Sequence, residues 1–424
     1  MFIKIKIKMK NILQSVVDQS GIWMGQRKQS HNFLLSTSVF QITQEQKSEL
    51  SALGIALYDC LMGLSHIATI AYDQQFNYNG KWAFVRKIFS TGVHHVFHEL
   101  QGLKVKDVPR LLKVDIMINQ SGEFKIAEID GHNKHGLGYS TLAMNFRNAL
   151  HPDCQSLPGV ISLLSREVSR LGYSDVKLFY SDQDRFYLPE FEIVAEEFSK
   201  HGINCKIISE ISCNVEELES GLFIDLPVLH SRINLYDVIV PAYKRGDVKF
   251  IIPPKQFMGS KGVLAILRND LGDEDLESII RAFIPTRSLT LVRKYIPETF
   301  LVGKQGEGLK SIQERIMNKN YVLKESISSG MKGTCFSDSF DFGDVLLRAA
   351  NSQMNWVLQE EVINQPQTYS WYEEGDDLIT SDDWFTRVTV HYVNRQLADI
   401  VITARRDKSV HGAKDCIQLG TIIV

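Results

Sequence analysis

Residues 112–130, with the sequence LKVDIMINQSGEFKIAEID, alternate apolar and polar side chains on both sides of an Asn-Gln-Ser-Gly stretch. This period of two predicts an antiparallel β-hairpin. Glu128 and Asp130 share one face of their strand because they are two residues apart, and Asp115 on the partner strand can reach that face. Converging carboxylates repel one another unless a hard cation lies between them, so the hairpin predicts a Mg²⁺ site. An ordinary solvated sheet face with surface acids is the alternative.

Outside this hairpin the chain divides into stretches of different texture. Residues 45–100 carry apolar side chains at helical spacing and predict helices, whereas the alternation in residues 1–8, MFIKIKIK, predicts an edge strand or a basic tail. Residues 158–254 alternate strand and helix patterns, which predicts a small three-layer α/β unit with a parallel sheet. From residue 256 onward helices mix with strands rich in Val, Ile and Thr, which is an α+β pattern.

The α/β unit rests on four predicted elements. Strands are predicted at residues 176–180, 205–208 and 238–240, and an amphipathic helix is predicted at residues 188–201, before Gly202.

Composition limits the class of protein. The 424 residues are 44% hydrophobic and 23% charged, close to an average globular protein, and their number predicts two or three packed units. A formal net charge of −3 argues against nucleic-acid and membrane-surface partners. No run resembles a membrane helix or a signal peptide. The six cysteines are scattered without Cys-x-x-Cys pairs, which predicts reduced thiols and a cytoplasmic protein.

Three later segments carry signals for binding a nucleotide. A strand pattern at residues 321–324 ends in Lys324, and the small basic loop at 328–334 offers backbone N–H groups to a polyphosphate; a flexible turn is the alternative. Residues 356–362, WVLQEEV, predict a strand that presents backbone groups to an adenine and carboxylates to a ribose, or else a plain buried strand. Residues 401–408 predict a strand that ends in several cations, for which a solvated strand end is the alternative.

Two histidines and the nucleophile patterns give weaker hypotheses. His94 and His98 share a face of a predicted helix, but no third zinc ligand and no His-Glu-x-x-His order accompanies them. A zinc-dependent hydrolase on the N-terminal part rests on this pair alone. No nucleophile-elbow pattern is present.

The order of these segments resembles that of the circularly permuted ATP-grasp proteins. The carboxylate hairpin comes first, followed by the α/β unit, a Gly-Ser-Lys segment at 259–261, the strand ending in Lys324, its loop, the Leu-Gln-Glu strand and a late Arg-Asp-Lys at 406–408. The families that it resembles most are eukaryotic-type glutathione synthetase and glutathionylspermidine synthetase, in which the metal-bearing strands precede the ATP-binding half. The resemblance covers residues 111–424.

The resemblance implies an α+β fold, a circularly permuted ATP-grasp with an inserted three-layer α/β substrate domain and a helical N-terminal region. The expected domains are the N-terminal helices (1–110), the carboxylate-bearing strands of the core (111–157), the α/β substrate domain (158–255) and the ATP-binding half with its Gly-containing lid (256–424).

Carried over position by position, the resemblance also implies roles for individual residues. The implied metal ligands are Asp115, Glu128 and Asp130, and the implied catalytic cations are Lys113, Arg406 and Lys408. The implied ATP-binding residues are Lys261, Lys324, the lid residues Ser329, Gly330, Lys332 and Gly333, and the adenine hinge Gln359, Glu360, Glu361 and Val362. The chain departs from the families where Lys113 replaces an arginine, Asp130 replaces an asparagine and Ser328 replaces an acid. Lysine keeps the charge of arginine but loses its bidentate fork.

The function implied is an ATP- and Mg²⁺-dependent carboxylate–amine ligase that forms an amide through an acyl-phosphate and releases ADP and phosphate. Expected partners are a small-molecule acid and a free or carrier-protein-bound amine, and a homodimer is among the assemblies that the sequence allows. The alternative is a catalytically inactive ATP-binding sensor or scaffold protein.

Overall fold

A computed structural model describes residues 2–20, 33–73, 80–302, 314, 319–328, 333–352, 355–372, 377–412 and 415–424. The helices of this part of the chain are α1 (Phe2–Ser20), α2 (Gln44–Tyr72), α3 (Gly80–Ser90), α4 (Leu137–Leu150), α5 (Val160–Arg170), α6 (Leu188–Lys200), α7 (Tyr236–Arg245), α8 (Gly262–Arg268), α9 (Glu274–Phe283), α10 (Thr286–Tyr295) and α11 (Phe342–Asn351).

The strands of the same ranges are β1 (Leu35–Ser36), β2 (Phe40–Ile42), β3 (Leu111–Ile118), β4 (Phe124–Asp130), β5 (Asp175–Tyr180), β6 (Asn204–Ser209), β7 (Gly221–Phe223), β8 (Val248–Phe250), β9 (Thr299–Val302), β10 (Tyr321–Glu325), β11 (Thr334–Phe336), β12 (Trp356–Glu360), β13 (Gln367–Tyr372), β14 (Leu378–Val393), β15 (Gln396–Arg405), β16 (Cys416–Leu419) and β17 (Thr421–Ile423).

The predicted hairpin is confirmed, since β3 and β4 pair antiparallel around the expected turn. β3 also pairs with the second half of the long strand β14, whose other edge pairs with β15, and β16 follows β15. The first half of β14 pairs with β13, which pairs with β1. Counting described strands only, seven form this large sheet.

Helix α2 covers the apolar face of the large sheet. The Tyr392 hydroxyl on β14 donates a hydrogen bond to the backbone oxygen of Leu50 at 2.8 Å. The approach is close at Gly54, where an added Cβ would stand 2.4 Å from the Tyr392 ring. Because side chains alternate along a strand, covering one face leaves the opposite, polar face of the hairpin and β14 for the site described below.

The helices predicted at residues 45–100 are confirmed as α2 and α3, followed by a 3₁₀ turn at His95–Leu100. By length and composition α2 is apolar enough to cross a membrane, alone among the described helices, so the prediction that no run resembles a membrane helix is wrong for this segment. In the folded chain, 67% of the most apolar 18-residue stretch of α2 is buried, which is typical of a core helix.

A separate sheet confirms the parallel arrangement predicted for residues 158–254. Within the described residues its order is β6-β5-β7-β8, and every pairing is parallel. The strand predicted at residues 238–240 is wrong, because these residues lie in α7. The buried residues Tyr236, Ile239, Val240 and Tyr243 recur at helical spacing, and a three-residue apolar run is too short to distinguish helix from strand.

The prediction of an edge strand or basic tail at residues 1–8 is also wrong. These residues begin the helix α1, and its later residues Leu13 and Val17, one helical turn apart, pack against Leu142 and Phe146 of α4. The alternation of the first eight residues has period two, but the anchoring contacts lie beyond them, where the period is helical.

The smaller antiparallel sheet carries the predicted lysine and hinge strands. Its order among described strands is β11-β10-β12-β9, with α11 packed against it. The strands predicted at residues 321–324 and 356–362 are thereby confirmed as β10 and β12, which end at Glu325 and Glu360. Among the described residues none of the six cysteines forms a disulfide, which agrees with the predicted reduced thiols. The four domain boundaries stay predictions.

Candidate functional site

The hairpin carboxylates meet on the polar face of the large sheet. Asp115 lies directly opposite Glu128 in the antiparallel register. The Thr389 hydroxyl of β14 donates to Asp115 Oδ1 at 2.6 Å, and Lys261 Nζ lies 3.1 Å from Glu128 Oε1. Two carboxylates are therefore placed side by side, with each oriented by a different neighbour.

Asp130, the third predicted metal ligand, belongs to a separate cluster. Its Oδ2 lies 2.7 Å from Lys113 Nζ, and its Oδ1 lies 2.8 Å from His132 Nδ1. Burial by itself would raise the pKa of Asp130, but Lys113 and His132 hold it well below the ordinary value. Lys113 also donates to Asn133 Oδ1 and to the backbone oxygen of His135, both at 2.7 Å. Lys113 and Asp130 are thus largely committed to each other and to the loop that follows β4.

Two lysines face the Asp115–Glu128 pair. Lys261 is 5% exposed, and its Nζ donates to the backbone oxygen of Ser328 at 3.0 Å as well as approaching Glu128. Lys324 Nζ donates to Gln359 Oε1 at 2.6 Å and to the backbone oxygen of Ala127 on β4 at 3.2 Å. Burial of the Lys324 ammonium, with a smaller contribution from Lys261, lowers its pKa to about 8, while Glu128 and Asp115 act in the opposite direction.

These groups line a cavity of about 280 Å³ between the large sheet and the smaller antiparallel sheet. Apolar side chains such as Met117, Phe336 and Val410 contribute much of its wall. The predicted residues that line it are Asp115, Glu128, Lys261, Lys324, Gln359, Glu360, Glu361, Val362 and Lys408. A cleft that combines apolar walls with several convergent charged groups suits a ligand that is part ring and part polyanion.

Lys408 closes one side of this cavity. Its Nζ binds Asp338, lies 3.5 Å from Glu361 Oε1 and stands 4.4 Å from the centre of the Phe336 ring. The structure thus joins Lys408 to the predicted hinge through Glu361.

The remaining predicted residues lie elsewhere. Lys113 and Asp130 do not line the cavity. Arg406 is exposed and stacks over the Trp371 and Trp384 rings, with its Cζ 5.4 Å and 5.7 Å from their centres. Ser329, Gly330 and Lys332 lie outside the described residues. Gly333 ends that loop at a φ of 67°, where an added Cβ would stand 2.8 Å from the side chain of Glu325.

His94 and His98 lie around the 3₁₀ turn rather than on one long helix. The His98 Nε2 is 2.9 Å from the backbone oxygen of Val93, and the His94 ring packs on His95 at 4.3 Å between centres. In the described ranges no group of three or more His, Cys, Asp or Glu side chains is arranged to hold a metal ion.

Sequence reasoning missed two polar residues of β14. Arg387 lines the cavity beside Asp115, and His391 is 1% exposed on the same face, opposite Lys113. The signal was present, because Arg387, Thr389 and His391 alternate with Val388 and Val390 in the second half of β14. Polar side chains at period two in a central strand mark a face that is not simple core.

His391 predicts acid sensitivity of the fold. Burial, reinforced by Lys113, lowers the pKa of its imidazole from 6.5 to about 3, while Asp115 and Asp130 act in the opposite direction. Below pH 6.5 the unfolded chain therefore binds a proton that the folded chain does not, so this contribution to stability is lost as pH falls from 6.5 toward 3. We expect the free energy of unfolding to fall by about 2 kcal/mol between pH 7 and pH 5 on this account.

Urea unfolding of the wild type and of His391→Asn at both pH values checks this expectation. Between pH 7 and pH 5 the free energy of unfolding of the variant should fall by about 2 kcal/mol less than that of the wild type. Identical pH dependence in the two proteins would show that His391 does not titrate in the unfolding reaction.

No protein-family model matches the sequence, and no curated protein matches it either. Among solved structures, the chain is similar to a glutathione synthetase-like effector, GSS30, from Globodera pallida in its apo form, with a TM-score of 0.56 and 11% identity over 98% of this chain and 97% of that one. It also aligns with a putative gamma-glutamylcysteine synthetase from Methylobacillus flagellatus KT, over 74% of this chain and 80% of that one, at 11% identity and a TM-score of 0.37, which is too low to carry an argument.

The chain accordingly has a mixed α/β fold that is similar to the fold of this glutathione synthetase-like effector. At 11% identity the likeness shows the fold alone.

Proposed function

We propose that this chain is an ATP- and Mg²⁺-dependent carboxylate–amine ligase built on a circularly permuted ATP-grasp core. The observation that carries the proposal is the meeting of Asp115, Glu128, Lys261 and Lys324 in one partly apolar cavity between two sheets. The strands with the carboxylates precede the sheet with Lys324 along the chain, which is the order expected of the permuted core.

The cavity offers each part of a nucleotide a suitable neighbour. The segment Gln359 to Val362 lines the cavity, where it would border an adenine and Glu361 would face the ribose. Lys261 and Lys324 line the same cavity, where their ammonium groups would meet the phosphates.

A divalent cation fits the carboxylate pair. Mg²⁺ at nucleotide sites is usually held by one or two carboxylates together with substrate phosphates and waters, so Asp115 and Glu128 suffice without Asp130. Two carboxylates opposite each other in register repel, which favours a cation between them. When bound, the ion would neutralise charge on the β- and γ-phosphates.

The reaction has two steps. A carboxylate oxygen of the acid attacks the γ-phosphorus, and the bond from that phosphorus to the β,γ-bridging oxygen breaks as ADP leaves with the electron pair. The amine then attacks the acyl carbon, phosphate leaves with the electrons of the carbon–oxygen bond, and the nitrogen loses its proton to solvent. Lys261 and Lys324 contribute by positioning the phosphates and by stabilising the charge that spreads over the transferring oxygens.

We also propose that the protein works in the cytoplasm on small-molecule substrates. Six cysteines without a disulfide among the described residues agree with a reducing compartment. The cysteines do not choose between a free amine and a carrier-protein-bound one.

The test is nucleotide release by the purified protein with MgATP and a small-molecule extract, with ADP, AMP and new masses read by mass spectrometry. Substrate-dependent ADP together with a new amide mass supports the ligase. AMP and pyrophosphate would instead mean an adenylating enzyme, and the acyl-phosphate route would fall.

A nucleotide-binding sensor or scaffold is the second candidate. One observation favours it, since neither Lys113 nor Arg406, the cations expected at the acyl-phosphate, lines the cavity. Mg²⁺-dependent ATP binding without turnover on any mixture of acids and amines would select this candidate.

A further inference from the structure

Arg387 is a charged residue in the middle of a central strand. It lies opposite Met117 of β3 on one edge of β14 and opposite Thr403 of β15 on the other. Strand interiors that are paired on both edges seldom carry an arginine without a partner or a ligand. The side chain is 27% exposed, and that exposure is toward the cavity that holds Asp115.

The guanidinium is poorly satisfied by its neighbours. Its Nη1 stands 3.4 Å from Asp115 Oδ2, and its Nη2 stands 3.5 Å from Thr403 Oγ1. Both distances are long for charge-assisted hydrogen bonds, which are usually about 2.7–2.9 Å. The Nε atom is buried and has no hydrogen-bond partner among the described residues. An arginine has five N–H donors in a planar fork, so most of its capacity is unused.

A role in orienting Asp115 does not explain the position of the Arg387 guanidinium. Asp115 already accepts a 2.6 Å hydrogen bond from Thr389, which is far better placed than Arg387. A guanidinium with weakly used donors, lining a cavity beside a carboxylate that would hold Mg²⁺, is suited to binding a phosphate or carboxylate.

We propose that Arg387 is the catalytic residue that binds the phosphoryl group as it passes from ATP to the acid. The proposal rests on the proposed function and completes it, because it supplies a cation that Lys113 and Arg406 do not supply in this chain. Lys113 donates to three acceptors outside the cavity, and Arg406 stacks on two tryptophans. Arg387 restores the bidentate fork that a lysine lacks.

Inorganic phosphate bound beside MgADP tests the proposal without knowledge of the acid. Calorimetry first gives the affinity of the wild type for MgADP, and then the affinity of the MgADP-saturated protein for phosphate. In Arg387→Gln we expect phosphate binding to weaken roughly 10-fold or more while MgADP affinity stays within about threefold. Arg387→Lys keeps the positive charge, so its phosphate affinity should lie between those of the wild type and Arg387→Gln.

Arg395→Gln is the matched control. Arg395 lies in the turn between β14 and β15, pairs with Asp59 at the surface and is 46% exposed, so its loss should leave both affinities unchanged. Thermal melting of Arg387→Gln and Arg387→Lys near that of the wild type excludes loss of fold as the cause.

The outcomes separate this proposal from the proposed function. If the wild type binds MgADP and phosphate and Arg387→Gln binds both equally well, Arg387 is not the phosphoryl ligand, although the ligase stands. If the MgADP-saturated wild type binds no phosphate, the proposed role of Arg387 is again wrong. If the wild type binds no MgADP, the proposed function itself falls.

Discussion

Replacing Asp115 by asparagine is expected to lower MgATP-dependent turnover roughly 1,000-fold, because it removes one of the two carboxylates placed to hold Mg²⁺. The substitution is nearly isosteric, and the asparagine Oδ1 can still accept the hydroxyl of Thr389, which now donates at 2.6 Å. Loss of one of two neighbouring negative charges also removes repulsion with Glu128, so the fold should not be weakened.

Nucleotide binding gives a direct reading that does not need the substrates. In the wild type, added Mg²⁺ should tighten ATP binding, and in Asp115→Asn most of this gain should vanish. Glu123→Gln is the control, since Glu123 lies at the turn of the same hairpin and is 56% exposed. A variant whose ATP binding responds to Mg²⁺ as the wild type does would remove Asp115 from the metal site.

Replacing Lys324 by methionine is expected to weaken ATP binding roughly 30- to 100-fold through loss of a charge-assisted contact to the phosphates. Stability should change little, since two effects oppose each other. The burial of an ammonium is relieved, but the amide oxygen of Gln359 loses its 2.6 Å donor. Lys244→Met serves as the control, because Lys244 lies on α7 and pairs with Glu99 at the surface.

The same lysine makes ATP affinity depend on pH. Burial is the main cause that lowers the pKa of Lys324 to about 8. A bound polyphosphate favours the charged ammonium and therefore raises this pKa. Above pH 8 binding must therefore take up a proton, and affinity should fall by up to about tenfold per pH unit; below pH 8 this effect disappears. Calorimetry between pH 7 and pH 9.5 should show the decline in the wild type only. A decline of equal slope in Lys324→Met would assign the titration to another group.

The hairpin could be predicted from the sequence because its information is local. The alternation of apolar and polar residues predicted both strands and the common face of Asp115 and Glu128. Only Asp130 belongs to a different cluster of side chains from the one that the sequence predicted. That difference depends on the loop after β4, where His132, Asn133 and His135 turn back to Lys113 and Asp130. No pattern within the hairpin reports contacts from a neighbouring loop.

Two other differences between prediction and structure have separate causes. One is an apolar run that is too short to distinguish helix from strand, and the other is a contact between residues that are far apart in the sequence. Residues 238–240 are apolar in either a strand or a helix, and only the wider spacing of buried positions favours α7. Arg387 escaped notice because its significance comes from Asp115, more than 250 residues earlier, across a strand pairing that the sequence did not predict. The placement of Lys261 and Lys324 was implied by resemblance to a known order of motifs, and neither periodicity nor charge alone would have joined them.

The hydrogen bonds from Lys324 to Ala127 and from Gln359 to Ile126 join the smaller antiparallel sheet to β4 of the large sheet. On the proposed function, a triphosphate that took over the Lys324 ammonium would remove one of these bonds, so nucleotide occupancy would be energetically coupled to the way the two sheets are joined. Such coupling is reciprocal: an acid that binds better to the shifted arrangement must tighten nucleotide binding by the same factor. If the proposed function holds, acid and nucleotide would therefore bind cooperatively, with no separate allosteric site.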